Sequence, residues 1–592
     1  MNYELTEENQ KKTKLKLNKV LGLLYRQIKE HMGQMGVAFI YLLINSATVI
    51  IAPFIIGDVT NKYIPTADKS NLLKFVAVLA IIYILGSLFS YLQIRLMGSV
   101  GQKVIFNIRN SIFTKLQALP LQFFNQNKSG ELISRINNDT EKMSQAFSET
   151  LLRFTGDIIV IAGIGIAMLI LNLELGLIAI FTLLLMVSGT WFISGWIKER
   201  NENSLQKLGE LSGEIQESLA NFKVSVVFNR RDYFRDSFAK VNENNRVAAT
   251  GATIANTILA PIYTMAGNFA SGVILIFGIQ ILLIDKIQMG AAPEFGTLLT
   301  FILYSSSFFN PLKEMGELFS QLQVAIASWS RIYRLLDLRN NMEVIESAEE
   351  LQDNLLMKFD NVSFGYDPEQ LILHEVNLDL DAGKTYALVG PTGGGKSTTA
   401  SLMVRLYDAT EGRIFFKGRD VRSFKPDDLS SRIGFILQEP FLFSGTISEN
   451  IKYGNSEIVN KSDEEIEDLL ASMGLEGLVN RFQDGLQTKI NPGAENISLG
   501  QRQLISFIRV ILRQPDLLIL DEATANVDTV TEQLLEEILN KLPKSTTKVV
   551  IAHRLNTIEN ADQIFFISGG RVEKPRDFSS TMDLINNSQG RS

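Results

Sequence analysis

The chain carries two patterns of apolar and polar positions, and one gives way to the other near residue 340. In the first, long apolar runs recur. Val37–Gly57 holds no charged residue, Leu72–Leu92 only Lys74, and Leu173–Ile197 only Glu174. Leu151–Leu171 keeps its two charges, Arg153 and Asp157, near its start. Ala252–Ile284 runs 33 residues without a charge, and Phe295–Leu312 is also uncharged. A helix needs about 20 mostly apolar residues to cross a bilayer, so this half predicts six membrane spans. A buried soluble helix would explain one such run; it is a poor account of six in succession.

The segments between the runs alternate in length and charge. Seven basic residues (Lys11, Lys12, Lys14, Lys16, Lys19, Arg26, Lys29) precede the first run. Seven more lie from Arg95 to Lys142, and nine from Lys198 to Arg246. The intervening connections hold Lys62 and Lys69, then none, then Lys286 alone. Basic residues stay on the cytosolic side, which predicts cytosolic termini. The two basic connections each exceed fifty residues and keep helical periodicity. Since 25 helical residues reach roughly 38 Å, each predicts a pair of stalks beyond the bilayer. Their tips fall at Leu119–Gly130, with Pro120, Phe123 and Phe124, and at Ser218–Asn229. Polar residues inside the runs (Asn45, Ser46, Thr48, Asn256, Thr257, Asn268, Ser305, Ser306) either line a substrate cavity or join helices by hydrogen bonds. Asp157 is expected near the inner interface, and its contact with substrate stays open.

Beyond Leu355, short β-rich runs alternate with helical stretches, the pattern of an α/β domain. The expected organisation is a cytosolic segment with an elbow helix (1–36), a six-span all-α domain (37–338), a charged linker (339–354) and the α/β domain (355–592). Composition adds exclusions. The chain has no cysteine, so disulfides, thiolate nucleophiles and zinc–thiolate sites are ruled out. Its three histidines are far apart in sequence, and its net charge of −7 gives no reason to expect nucleic acid as a partner. No cleavable signal segment is evident, because a long charged stretch precedes the first apolar run.

Candidate chemistry lies in the second half. The strand-like Lys384–Val389 runs into Gly390–Pro391–Thr392–Gly393–Gly394–Gly395–Lys396–Ser397–Thr398, and a helix follows. Strand, glycine-rich loop and helix form the setting of a phosphate-binding loop: backbone N–H groups face phosphate oxygens, Lys396 reaches the β/γ-phosphates, and Ser397 suits Mg²⁺. Downstream, the apolar Leu517–Leu520 delivers Asp521 and Glu522 at a strand end. Asp521 suits Mg²⁺ and Glu522 suits polarising an attacking water.

With these motifs and Ile497–Gln503 (ISLGQRQ) between them, the chain resembles an exporter-type ABC transporter half over essentially its full length. The resemblance implies a six-helix transmembrane domain fused to an ABC-type P-loop NTPase domain. It also implies ATP and Mg²⁺ as cofactors, and a second half-transporter, the lipid bilayer and a hydrophobic or amphipathic compound as partners. By resemblance Tyr366 stacks on adenine, Gln438 binds Mg²⁺ and senses the membrane domain, and His553 holds the γ-phosphate. Ser498, Gly500, Gln501 and Asp528 act across a dimer, and the stalk tips dock near Gln438, Phe441 and Phe443. The catalytic set is Glu522, His553, Gln438 and Lys396; the metal set is Ser397, Gln438 and Asp521. One departure stands out. The family's LSGGQ reads Ile497–Ser–Leu–Gly–Gln501 here, and Leu499 is bulkier and stiffer than glycine beside a phosphate. A non-consensus signature with an intact catalytic set is expected of one subunit of a heterodimer, although a homodimer stays open. Nothing in these motifs names the substrate.

Overall fold

A computed structural model describes residues 29–66, 68–289, 293–340, 342–346, 355–367, 370–479, 481–521, 529–551 and 559–576, together with residues 3, 5, 25, 580 and 584. The described chain forms two compact units. One is built from residues up to Gln117 and from Gly130–Asp337; the other takes Ala118–Ser129 and everything from Leu338 onward, together with Tyr3 and Leu5.

The first unit is helical throughout. Its long helices are Met32–Tyr63, Lys69–Gln117, Leu151–Leu171, Leu173–Ala220, Arg231–Thr257, Leu259–Gly278 and Phe295–Asp337. Every apolar run read from the sequence lies in these helices, the fifth continuing through the π-helical turn Ile279–Ile284. Among the described residues, four helical stretches are long and apolar enough to cross a membrane: Lys29–Tyr63, Lys69–Gln117, Ser129–Leu171 and Gly267–Gln288. The fourth and sixth runs sit in Leu173–Ala220 and Phe295–Asp337. Apolar side chains face outward in numbers that water would not tolerate: Leu73, Ile84 and Ile170 are 71%, 67% and 80% exposed. Hydrocarbon is the solvent for that surface, and the protein is an integral membrane protein.

Helix lengths account for the stalks. Lys69–Gln117 has 49 residues, about 74 Å of helix, which is more than twice the ~30 Å of hydrocarbon. Between spans three and four the chain turns at Asn172, whose extended backbone stops one helix while its side chain accepts a hydrogen bond from Leu175 N, 3.1 Å away, to start the next. Gly57 and Gly296 bring two helices into backbone contact; a Cβ on either would collide with the other's carbonyl. Lower down, a charged pin joins two stalks. Arg331 donates to the buried Asp139 from Nε (2.9 Å) and Nη2 (2.5 Å), and the buried Arg135 donates to the Arg331 carbonyl (3.2 Å) and to Glu131 (2.6 Å). Asp139 and Arg135 sit on a π-helical turn, Arg135–Asp139, which re-aims side chains that a regular helix would send elsewhere.

The second unit layers two sheets. An antiparallel sheet orders Leu373–Asp381, Leu355–Phe364, Glu411–Phe416 and Arg419–Asp420. The larger sheet runs Arg571–Glu573, Gln563–Ser568, Thr385–Val389, Thr547–Ile551, Leu517–Asp521 and Ile433–Ile436, parallel except for its first pair. Its central strands are apolar on both faces, as a sheet covered on both sides requires. Phe359, Tyr386, Leu388, Leu402, Phe416 and Phe565 pack one core. A helical lobe around Ile447, Ile466, Leu504, Phe507 and Leu535 packs the other.

Candidate nucleotide-binding site

Three parallel strands end side by side, with Ile551 opposite both Asp521 and Leu388. That edge is where an open α/β sheet binds its ligand. From Thr385–Val389 the chain enters the loop 390–395 and then the helix Lys396–Met403. The loop is braced from behind by a strand distant in sequence. Gly390, at φ 143°, and Gly394 lie so close to Ile567 that a Cβ on either would strike its carbonyl oxygen. Gly570 N donates to Gly394 O (3.1 Å). Lys396 is 6% exposed, and its ammonium donates to the carbonyls of Gly390 (2.9 Å) and Pro391 (3.0 Å), which aims it across the loop mouth. The Ser397 hydroxyl stands 3.4 Å from Asp521 Oδ1. A hydroxyl and a carboxylate converging at a helix start are hard oxygen donors that suit Mg²⁺.

Tyr366 sits above the same helix, with its hydroxyl 3.4 Å from Thr398 Oγ1 and its ring edge-on to Phe364 and Tyr407. It is 39% exposed, leaving ring surface to stack on a base. Gln438 follows the strand Ile433–Ile436 and lines a cavity of about 500 Å³ together with Leu499 and Arg502. The signature therefore begins beside Gln438 within this chain, and its atypical Leu499 forms part of the cavity wall. Ser498 caps the helix Leu499–Ile511 in a reciprocal box: its hydroxyl accepts from Gln501 N (3.2 Å), and Gln501 Oε1 accepts from Ser498 N (3.1 Å). Gly500 lies against Thr531, where a Cβ would come 3.0 Å from the hydroxyl oxygen. The preceding turn closes on itself through Asn496, which accepts from Asn491 N (2.9 Å) and donates to Lys489 O (2.8 Å). Glu522, Asp528 and His553 lie outside the described residues.

The first stalk tip is the short helix Leu121–Gln126, started by Pro120. The expectation that it docks near Gln438, Phe441 and Phe443 is corrected by its contacts. Gln122 donates to the Tyr366 carbonyl (3.2 Å), and Asn125 donates to the Tyr407 hydroxyl (2.6 Å). Burial raises the Tyr407 phenol above its ordinary pKa, so it stays protonated under that bond. Tyr3 completes the joint: its backbone N–H donates to Gln126 Oε1 (2.8 Å), and its hydroxyl donates to Arg339 O (3.0 Å). Sequence reasoning missed Tyr407 and Tyr3; lone tyrosines in RLYDAT and MNYEL carry no local signal. The second tip, Phe222–Val227, leaves Phe222, Val224 and Val227 exposed.

Within the membrane unit, Asn45 and Ser46 line a cavity of about 690 Å³. Several other polar residues in the spans have local partners: Thr48 bonds Asn45 O (2.7 Å), Ser305 bonds Ser271 (2.7 Å), and Asn256 and Asn201 pair reciprocally (3.0 Å).

Residues 35–312 match the family described as ABC transporter transmembrane region, and residues 373–525 match the family described as ABC transporter. The uncharacterized ABC transporter ATP-binding protein YknV of Bacillus subtilis strain 168 is 33% identical over 540 residues, covering 90% of this chain and 87% of the relative. The fatty acid ABC transporter ATP-binding/permease protein of Mycobacterium tuberculosis (strain CDC 1551 / Oshkosh) is 31% identical, covering 85% and 78%. The solved structure of a bacterial Atm1-family ABC exporter with ATP bound superposes with a TM-score of 0.76 over 95% of this chain and 98% of that one, at 24% identity. The chain belongs to the ABC transporters, as a half with an exporter-type transmembrane domain and an ATP-binding domain of the ABC type.

Proposed function

We propose that this chain is the hydrolytically competent half of a heterodimeric exporter that moves hydrophobic or amphipathic compounds out across the cytoplasmic membrane. The observation that carries the reading is the convergence of Lys396, Ser397 and Asp521 at one sheet edge, below an exposed Tyr366. Tyr366 takes the base. The N–H groups of 390–398 and the Lys396 ammonium take the phosphates. Ser397, Asp521 and Gln438 would hold Mg²⁺, which neutralises phosphate charge. Glu522 polarises the water that attacks the γ-phosphate, and His553 orients that phosphate; ATP and water give ADP and phosphate. Positive-inside placement puts both termini and the nucleotide unit in the cytosol.

Each nucleotide domain supplies half of an ATP site, so ATP holds two domains together. Ser498, Gly500, Gln501 and Asp528 face the nucleotide of the second half-transporter. Because Leu499 stands where glycine is usual, that second site turns over slowly, while the ATP held by this chain meets an intact signature. Closure draws the stalks together and opens the cavity outward; hydrolysis returns it inward. The exposed apolar face of the second tip supports docking on the partner's nucleotide domain, and this chain's own exposed Phe441 and Phe443 offer an aromatic patch to the partner's tip. A lipid or fatty acid floppase is the nearest alternative, since the mycobacterial relative's name records a fatty acid cargo.

The test has two parts. A second, different half-transporter should co-purify in equal amount, and recovery of this chain alone as an active dimer would overturn the heterodimer. Inside-out vesicles should accumulate substrate with ATP; accumulation only in right-side-out vesicles would make the protein an importer.

A further inference from the structure

The 690 Å³ cavity of the membrane unit holds a carboxylate oxygen that no donor in the fold satisfies. The helices Met32–Tyr63, Lys69–Gln117, Leu151–Leu171 and Phe295–Asp337 form its walls, with Leu42, Val49, Ile94 and Val160 giving apolar surface. Three charged side chains line it: Glu149, Arg153 and Asp157. The first two satisfy each other, with Arg153 Nη2 3.0 Å from Glu149 Oε1. Asp157 feels Arg153 only through space, without a hydrogen bond from it. Its Oδ2 is sealed from solvent and accepts no hydrogen bond. Glu314, on the facing helix, lies within electrostatic range of it and adds a second negative charge. Across the cavity Gln93, only 8% exposed, also has its side-chain oxygen buried and without a donor.

An ionisable group in this setting is costly, and a fold that only needed packing would place an apolar residue there. The two orphan atoms are both acceptors, and they stand among apolar and small uncharged polar side chains with net negative charge nearby. The complement of that arrangement is a donor-bearing cation on a greasy body. A neutral amphiphile would leave the carboxylate uncompensated, and an anionic one, such as a free fatty acid, would meet like charge.

We propose that this cavity is the substrate site and that it selects protonated hydrophobic amines, the ammonium resting on Asp157 Oδ2 and Gln93 Oε1 and the apolar body on Leu42, Val49, Ile94 and Val160. The substrate role rests on the exporter reading above; the charge selectivity does not.

The experiment uses the full chain, with its partner, in lipid nanodiscs without nucleotide. Dansylcadaverine, whose primary amine is protonated at neutral pH, is titrated by fluorescence beside its N-acetyl derivative, which has nearly the same shape and no charge. The wild type should bind the amine at least tenfold more tightly than the acetylated probe. Asp157→Asn should weaken the amine tenfold or more and leave the acetylated probe nearly unchanged, Asp157→Glu should restore most of the difference, and oleate should not compete. Equal binding of the two probes by the wild type overturns the proposal without any variant, and so does an Asp157→Asn protein that still discriminates, or competition by oleate. The exporter reading is scored separately: if the wild type discriminates between the probes yet ATP drives no uptake of the amine into inside-out vesicles, the binding site stands and the transport reading fails.

Discussion

Replacing Gly390 with alanine should weaken nucleotide binding roughly a hundredfold while leaving the domain folded. The added Cβ would overlap the Ile567 carbonyl oxygen and approach its carbonyl carbon to 2.9 Å and its nitrogen to 3.3 Å. Ile567 cannot retreat, because its strand is laddered to both Thr385–Val389 and Arg571–Glu573. The loop must move instead, by on the order of an ångström, whereas an N–H···O bond tolerates only about 0.5 Å of variation in length. One such bond to a charged phosphate contributes about 1.5–3 kcal/mol. Holding a non-glycine residue at φ 143° costs about 1–3 kcal/mol more if the loop stays in place. A loss of about 3 kcal/mol corresponds to a weakening of roughly a hundredfold. Gly393 is the control: it has φ 79° but open space around its Cβ position, so alanine there brings strain without collision and should cost under about tenfold. Calorimetric titration of Mg-ADP into the purified transporter, with a thermal melt of each variant, decides the matter. Gly390→Ala binding within threefold of wild type, at an unchanged melting midpoint, would refute the bracing argument; so would equal damage from Gly393→Ala.

Glu522→Gln should bind ATP normally and lose most turnover, and hydrolysis at the wild-type rate would remove Glu522 from its catalytic role. Asp139→Asn leaves Arg331, 33% exposed on its side chain, without its bidentate partner; the loss should be about 2 kcal/mol, less than for a fully buried pair, read as a lower fraction of protein surviving a heat step in detergent. Survival equal to wild type would mean the stalk pin carries no stability. Asn125→Ala leaves the buried Tyr407 hydroxyl short of its 2.6 Å donor, and drug-stimulated ATPase should fall toward the basal rate while nucleotide affinity holds. Unchanged stimulation would show that the first tip does not transmit motion through Tyr407.

The strong sequence signals were local ones. Apolar runs lie on helices because twenty such residues have few other uses, and the loop 390–398 was recognisable because strand, glycines and lysine are contiguous. Stalk lengths followed from periodicity without glycine or proline breaks, and the observed tips at Leu121–Gln126 and Phe222–Val227 fall inside the expected segments. What stayed illegible depends on which face meets which neighbour. Asp139, Arg135 and Arg331 look like solvated stalk charges until a π-helical turn aims them together. Asn45 and Ser46 cannot be told from Thr48 or Ser305 by composition; one pair lines a cavity, Thr48 bonds within its own helix, and Ser305 bonds across to Ser271 on another. The first tip's place beside Tyr366 and Tyr407 is a contact between residues hundreds of positions apart, which periodicity does not encode.

The boundary between the two units crosses the chain at more than one point, and that limits what can be cut out. Phe123 of the first tip is completely buried and packs edge-on against Tyr3, while its helix is hydrogen-bonded to Tyr366 and Tyr407. A soluble fragment beginning at Leu338 would retain every phosphate-binding residue but lack this helix. Its aromatic shelf would be bare to water, and the hydroxyl of Tyr407 would have lost a donor. Such a fragment would be prone to self-association, and the nucleotide affinity measured on it would belong to a different surface from the one the transporter has. For this protein the motor is best studied with its stalk still attached.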